Sequence, residues 1–252
     1  MDNSQETKAV YVGCAGWSLP KQWQGGFPAD GTHLERYAGR FNAVEINSSF
    51  YRPHQQKTYR RWAASVPEAF RFSVKLPKAI THTARLQTTA DVIRNFVEEV
   101  SGLGERLGCW LVQLPPSLVF DAQLVREFFE RFREQADACS GAIVCEPRHA
   151  SWFSSAAAEL LTACGIARVA ADPAVVPAAG QAGGTHEPVY IRRHGSPHMY
   201  YSSYSAAQIR QTANQLRESG RRSRTAWCIF DNTAEGAATG NALRLLDELH
   251  GR

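Results

Sequence analysis

Eight short apolar segments recur along the chain, and most of them close on polar residues: AVYVGC (9–14), AVEINSS (43–49), FRFSVKLP (70–77), CWLVQLPP (109–116), AIVCEPRH (142–149), IARVAADP (166–173), PVYIRRHG (188–195) and AWCIFDNT (226–233). They begin roughly 30 residues apart, the length of one strand-plus-helix unit. The gaps mostly carry helical periodicity. DAQLVREFFERFREQ (121–135) sets Leu124, Val125, Phe128, Phe129 and Phe132 on one stripe behind Asp121 as N-cap. THLERYAGR (32–40), KTYRRWAASV (57–66), DVIRNFVEEV (91–100), SAAAELLTAC (155–164), AAQIRQTANQLRE (206–218) and NALRLLDELH (241–250) predict helices after strands one, two, three, five, seven and eight. Eight such units predict a (β/α)8, TIM-barrel-like α/β fold as a single domain over 1–252. The sixth unit differs. DPAVVPAAGQAGGTHE (172–187) has no amphipathic period, so an irregular loop is expected in place of the sixth helix, either a lid or a degenerate connection.

Strand parity then sorts the polar residues, because alternate side chains face the helices and the barrel interior. Phe70, Phe72, Val74 and Leu76 take the outer side, turning Arg71, Ser73 and Lys75 inward. The same reading places Glu45, Asn47, Gln113, Glu146, Arg148, Asp172, Tyr190, Arg192 and His194 inside. In the eighth strand the parity is ambiguous between Asp231 and Asn232, and Asn232 is favoured. Barrel interiors ordinarily fill with Val, Ile and Leu, and unpaired buried charges cost several kcal/mol each. The charged list therefore reads as a compensated ion-pair network or as a site, and a site is the better reading. Trp17, Trp23, Phe27, Phe50, Tyr51, Trp152, Tyr200, Tyr201 and Tyr204 follow the strands, where aromatics either stack on a ligand or plug gaps between loops and helices.

Composition narrows the class. Nothing approaches an 18-residue apolar run, so no membrane span is expected. MDNSQETK at the start lacks an apolar signal region; residues 1–8 are expected to be a disordered polar tail. Six cysteines show no C-x-x-C spacing, and Cys14, Cys109, Cys145 and Cys228 fall in strands, as buried hydrophobes in a cytoplasmic protein without disulfides or structural zinc. The formal charge of +4 is suggestive of nucleic acid. Yet Arg210, Arg217, Arg221, Arg222 and Arg224 cluster near the start of the eighth strand, at the bottom of a barrel, as a solvated face.

The residues that parity selects also carry a resemblance. GCAGWS (13–18), VEINSSFY (44–51), FRFSVKLPKAITH (70–82), QLPPS (113–117), CEPRHASWF (145–153), RRHG (192–195) and FDNTAEGAATGNA (230–242) resemble, in order, the motifs of the YecE-like family, domain of unknown function 72. The resemblance implies a TIM-barrel-like fold and a cytoplasmic protein, and no established reaction. Two positions depart from the family pattern: Gly26-Phe27-Pro28 lacks an extra Tyr before the Pro, and Lys78 stands where Arg is common.

Three chemistries fit the inward list. In the favoured one, an enzyme holds a small polar, anionic or sugar-like substrate. Lys75, Arg148 and Arg192 bind phosphate or carboxylate; Glu45, Glu146 or Asp172 act as acid or base; and His194 shuttles the proton. Trp17, Asn47, Tyr51, Gln113, Trp152 and Asn232 complete the substrate contacts. Lys75 has the chemistry to form a Schiff base, but the sequence gives no sign of a lowered pKa. The second reading is metal-assisted phosphodiester hydrolysis, with Glu45, Glu146, Asp172 and His194 as ligands and nucleic acid as partner. It is disfavoured because Lys75, Arg148 and Arg192 already balance the acids and no H-x-H or H-E-x-x-H spacing appears. The third is a ligand-binding module without turnover. No nucleotide cofactor or resident metal is expected, and oligomeric state is left open.

Overall fold

The computed structural model describes residues 9–219 and 223–251, so the N-terminal eight residues and Arg221 and Arg222 of the basic cluster lie outside the described residues. Among the described residues there are ten strands: β1 (Ala9–Cys14), β2 (Ala43–Ile46), β3 (Arg71–Lys75), β4 (Leu107–Gln113), β5 (Ala142–Glu146), β6 (Ala167–Arg168), β7 (Ala170–Asp172), β8 (Gly183–Gly184), β9 (Val189–Arg193) and β10 (Thr225–Phe230). β2, β3, β4, β5 and β6 pair in parallel in that order; β7, β9, β10 and β1 form a second parallel run. β6 and β7 are halves of one strand, interrupted at Val169, whose N–H still donates to the Cys145 carbonyl. With β6 held by β5 and β7 by β9, the two runs join into a barrel of eight parallel strands.

The other join, between β1 and β2, is stitched mainly by side chains. One bridge, Ala15 to Glu45, links the backbones at its top. Below it the Asn42 amide donates to Val10 O (2.7 Å) and accepts from Val12 N–H (2.9 Å). The Tyr37 hydroxyl accepts from Cys14 N–H (2.7 Å) and donates to Ala43 O (3.0 Å). Gly13 permits this close approach, since a Cβ there would lie 2.0 Å from Ala43 O. Tyr37→Phe leaves a buried N–H and C=O without their shared partner, and is expected to lower stability by about 2–3 kcal/mol. Urea unfolding checks it: the midpoint falls at unchanged slope, and an unmoved midpoint contradicts the stitching role.

Among the described residues, the helices of the barrel are α1 (His33–Ala38), α2 (Ser48–Tyr51), α3 (Gln56–Ala64), α4 (Ala90–Val100), α5 (Ala122–Ala136), α6 (Ser155–Ala163), α7 (Ala206–Ser219) and α8 (Ala237–His250). α5 starts where Asp121 caps Leu124 N–H and buries Val125, Phe128, Phe129 and Phe132. Two apolar cores result. The outer one packs helices on the strands through residues such as Val44, Phe72, Trp110 and Cys145. The inner one fills the barrel with Ala43, Cys109, Leu111, Val144, Val169, Tyr190, Trp227 and Ile229. Tyr11, Trp227 and Tyr190 form a run of rings across it, with centroid spacings of 4.6 and 5.8 Å.

The connection after β7 contains no α-helix. A short 3-10 turn (Pro177–Gly180) leads to β8, which pairs antiparallel with β6. Arg168 points to the outer face, toward the Phe153 ring and the Ala178 carbonyl. The segment thus packs where a sixth helix would lie, as a degenerate connection. At the bottom, Arg217 donates to Asn214 and the Glu248 carbonyl, and Arg210 lies 3.9 Å from Glu248, so these arginines serve α7–α8 packing.

Candidate functional site

Parallel pairing fixes which side chains share the upper interior. Arg192 registers with Ala171 on one side and Ile229 on the other; Arg193 registers with Asp172 and Phe230. Registered residues face the same way. Arg192 and Ile229 point in, and so, two residues on, do His194 and Asp231. Asp172 and Phe230 point out.

Arg192 is the centre of what converges. Fully buried, it donates through Nε (3.0 Å) and Nη2 (2.6 Å) to the two oxygens of Glu45, through Nη1 (2.5 Å) to Glu146 and through Nη2 (3.0 Å) to Asp231. One guanidinium fork therefore ties β2, β5, β9 and the end of β10. Beneath it the Tyr190 hydroxyl lies 3.0 Å from Glu45 and 2.8 Å from Ser73. Above it His194 spans two carboxylates, Nδ1 to Asp231 (2.9 Å) and Nε2 to Glu146 (2.8 Å). Arg148 Nη2 lies 2.7 Å from Glu146 and 2.7 Å from His194 Nε2. Nε2 thus faces an acceptor and a donor together. The imidazolium donates to Glu146; the neutral ring with its proton on Nδ1 accepts from Arg148.

These contacts separate the carboxyls. Burial opposes ionisation of Glu146, but Arg192, His194 and Arg148 outweigh it and hold it well below the ordinary carboxylate range. Asp231 is likewise buried, and Arg192 and the hydrogen bond to His194 lower it. Glu45 goes the other way: burial dominates, and its carboxyl is raised in spite of Arg192. Lys75 is brought down to about 8 by burial first and then by the like charge of Arg192. Opposed shifts within one cluster suit proton transfer.

The rim is formed by Lys75, Arg148, Asp231 and Asn47, whose amide donates to Asp231 (3.3 Å). Lys75 Nζ sits 4.1 Å above the Phe50 ring, and the Ser49 hydroxyl, on the short helix α2, donates to the Lys75 carbonyl. Tyr200, at a left-handed φ of 70°, holds its ring edge-on to His194 at 5.8 Å. Gln113, 8% exposed at the end of β4, registers with Glu146 on β5.

Of the residues expected at the site, Glu45, Asn47, Lys75, Glu146, Arg148, Arg192 and His194 are brought together, with Gln113 beside them. Three expected placements are corrected. Asp172 lies on the outer side of β7, where its carboxylate accepts from the Tyr204 hydroxyl (2.7 Å). Asn232 faces away from the barrel and donates to Ser202 O and Asn241, joining the loops after β9 and β10. Trp152 is wholly buried in the outer core, with its indole N–H on Leu118 O. Trp17 packs edge-on against Trp62 at 5.0 Å. Tyr51 is 79% exposed and lines a separate cleft of about 380 Å³ with Pro77, Val92 and Phe96. Asp231 joins the site where Asn232 was expected: β10 is apolar on both faces, so its parity carries no signal, and the register with β9 decides it.

Among the described residues, no group of three or more His, Cys, Asp or Glu is arranged to hold a metal ion. Nor is any helix among them long and apolar enough to cross a membrane.

Known proteins share this architecture. A DUF72 family protein of Enterococcus faecalis V583 superposes with a TM-score of 0.79 at 19% identity, covering 96% of both chains; at that identity the likeness is one of fold. A DUF72 family protein of Thermotoga maritima MSB8 superposes with a TM-score of 0.76 at 26% identity, over 96% of this chain and 99% of that one. UPF0759 protein YecE of Escherichia coli (strain K12) is 36% identical over 106 residues, 42% of this chain. That match spans 38% of YecE, well under half its length. The family model described as "Protein of unknown function DUF72" matches residues 11–252, and with that match across almost its whole length the chain belongs to the DUF72 family.

Proposed function

We propose that the chain is an enzyme that binds a small polar, anionic or sugar-like substrate at the carboxyl-end face of its barrel and moves protons through Glu146, His194 and Asp231. The observation that carries this reading is the contrast between centre and rim. Arg192 and its three carboxylates satisfy one another, whereas Arg148 Nε and Asn47 Oδ1, both buried, have no hydrogen-bond partner among the described residues. Buried polar atoms in native proteins are almost always paired, so orphaned ones at a barrel mouth point to a ligand. Arg148 offers the donor for an anionic oxygen, its guanidinium held in place by Glu146. Protonated Lys75 adds positive charge, and Asn47 Oδ1 accepts from a substrate hydroxyl. His194, between two carboxylates, can take up or release a proton without leaving its place.

The metal-assisted phosphodiesterase reading has less support. Glu45, Glu146 and Asp231 each already accept from Arg192, and Asp172, one of its intended ligands, points away.

Thermal unfolding with inorganic phosphate and small sugar phosphates, against the matching neutral sugars, tests the proposal. A ligand at about 100 times its Kd adds about 2.7 kcal/mol to stability, a rise of several degrees for a chain of this size. The expected result is a rise with the phosphorylated compounds that Arg148→Ala removes. Equal rises with neutral sugars, or an undiminished rise in the variant, would refute the anion site. Binding without turnover of any bound compound would favour the non-catalytic module.

A further inference from the structure

Lys75 differs from the other cations of the mouth in having no anionic partner. Arg148 and Arg192 rest on carboxylates at 2.7 Å or less. Lys75 is as buried as Arg148, at 8% exposure, yet among the described residues its Nζ makes no hydrogen bond or ion pair, only the contact with the face of Phe50. A ring face compensates an ammonium only in part. Burial and the nearby charge of Arg192 oppose the cation, while Glu45, Asp231 and Glu146 attract it from beyond contact, and the balance makes the neutral amine easier to reach than for an ordinary lysine. The residue type fits that environment. The chain carries only five lysines against 23 arginines, and an arginine here would stay charged at any working pH.

We propose that Lys75 is a nucleophile that captures the carbonyl carbon of an anionic aldehyde or ketone as an imine, while Arg148 holds the anionic group. This rests on the reading of the mouth as a substrate site, and it names the substrate class. The neutral Nζ attacks the carbonyl carbon. As the C–N bond forms, the C=O π pair moves to oxygen, which takes a proton while nitrogen releases one, leaving a carbinolamine. Protonation of its hydroxyl expels water as the nitrogen lone pair closes the C=N bond, and the iminium nitrogen then gives a proton back. Amine and carbonyl become imine and water, with no change of oxidation state. The Glu146–His194–Asp231 run at the same mouth supplies and collects the protons. With the ammonium brought down to about 8, about a tenth of it is free amine at pH 7, against less than about a thousandth for an ordinary lysine.

Reductive trapping tests this on the full chain, with glycolaldehyde phosphate as the anionic probe, glycolaldehyde as its neutral counterpart and cyanoborohydride to fix the imine. The expected product is one adduct per chain, mapped by peptide mass spectrometry to Lys75. It should form at least ten-fold faster than at Lys21, Lys57 or Lys78, all exposed, and with a pH midpoint near the shifted value. Arg148→Ala should remove the preference of Lys75 for the phosphorylated probe. Lys75→Arg should abolish the single adduct while keeping a positive charge at the mouth. Labelling spread evenly over the lysines overturns the imine; if phosphate still stabilises the protein through Arg148, the anion site survives that failure. Selective trapping at Lys75 by both probes alike, unaffected by Arg148→Ala, keeps the nucleophile and overturns the anionic substrate.

Discussion

Arg192→Leu is expected to lower stability by about 3–5 kcal/mol at pH 7, the cost of stranding buried charges whose partner is gone. The side chain is wholly enclosed and gives four hydrogen bonds to Glu45, Glu146 and Asp231. Leucine fills part of the volume but leaves three carboxylates with Arg148, His194 and Lys75 alone. The pH dependence gives the expectation its sign. In the wild type Glu146 and Asp231 are depressed, so their stabilisation is present above the unfolded carboxylate range and is lost as pH falls through their low folded values. In the variant the same groups rise with burial, and protonation relieves them. The gap between the two proteins therefore narrows toward pH 5 and below. Denaturant unfolding across that range decides it: a loss under about 1 kcal/mol, or one independent of pH, would show that the fork is not what holds the carboxylates. Arg192→Lys should fall between, since an ammonium keeps the charge without the planar fork.

Glu146→Gln is expected to be nearly as costly, at about 3 kcal/mol near neutrality. Glu146 faces Arg192, Arg148 and His194 at 2.5 to 2.8 Å, and a neutral amide of the same shape weakens each contact and presents a donor to one of them. The difference from wild type should be largest above the unfolded glutamate pKa and vanish in acid, where the wild-type carboxylate is protonated too. On the proposed relay the same substitution removes a partner of His194, and turnover of a substrate found at this mouth should fall by about 10²–10⁴. Asp172→Asn is the matched comparison, and should leave that turnover unchanged. Its carboxylate meets Tyr204 on the outer side of the barrel. If Asp172→Asn impairs turnover as much as Glu146→Gln, the inner relay is misassigned.

The number of strand–helix units and their order were legible in the pattern of apolar segments. So was the inward set wherever one face of a strand is apolar and the other polar. Glu45 lies between Val44 and Ile46, Lys75 follows Val74, and Arg192 follows Ile191; the contrast itself reports the face. β7 and β10 lack that contrast. Ala170, Ala171 and Asp172 offer no apolar side to recognise, and β10 is apolar on both faces, Trp227 and Ile229 within and Cys228 and Phe230 without. There the periodicity was silent, and backbone register placed Asp231 inside and Asp172 outside. Trp152 shows a related limit, because an aromatic after a strand suits a mouth and a helix–loop junction equally well until its indole N–H finds Leu118.

The sequence by itself determined which residues enter the barrel wherever a strand has one apolar face, and that acids and bases would meet there in near balance. Which of them meet was decided only in three dimensions. Arg192 and Glu45 stand 147 positions apart, and Asn47 and Asp231 184. No local periodicity couples such positions; closing the barrel does, by bringing β2, β5, β9 and β10 around one guanidinium. That closure gives Arg148 a carboxylate and leaves Lys75 with none. Charge balance is a property of composition, but the pairing of each charge depends on distances that only the closed barrel sets.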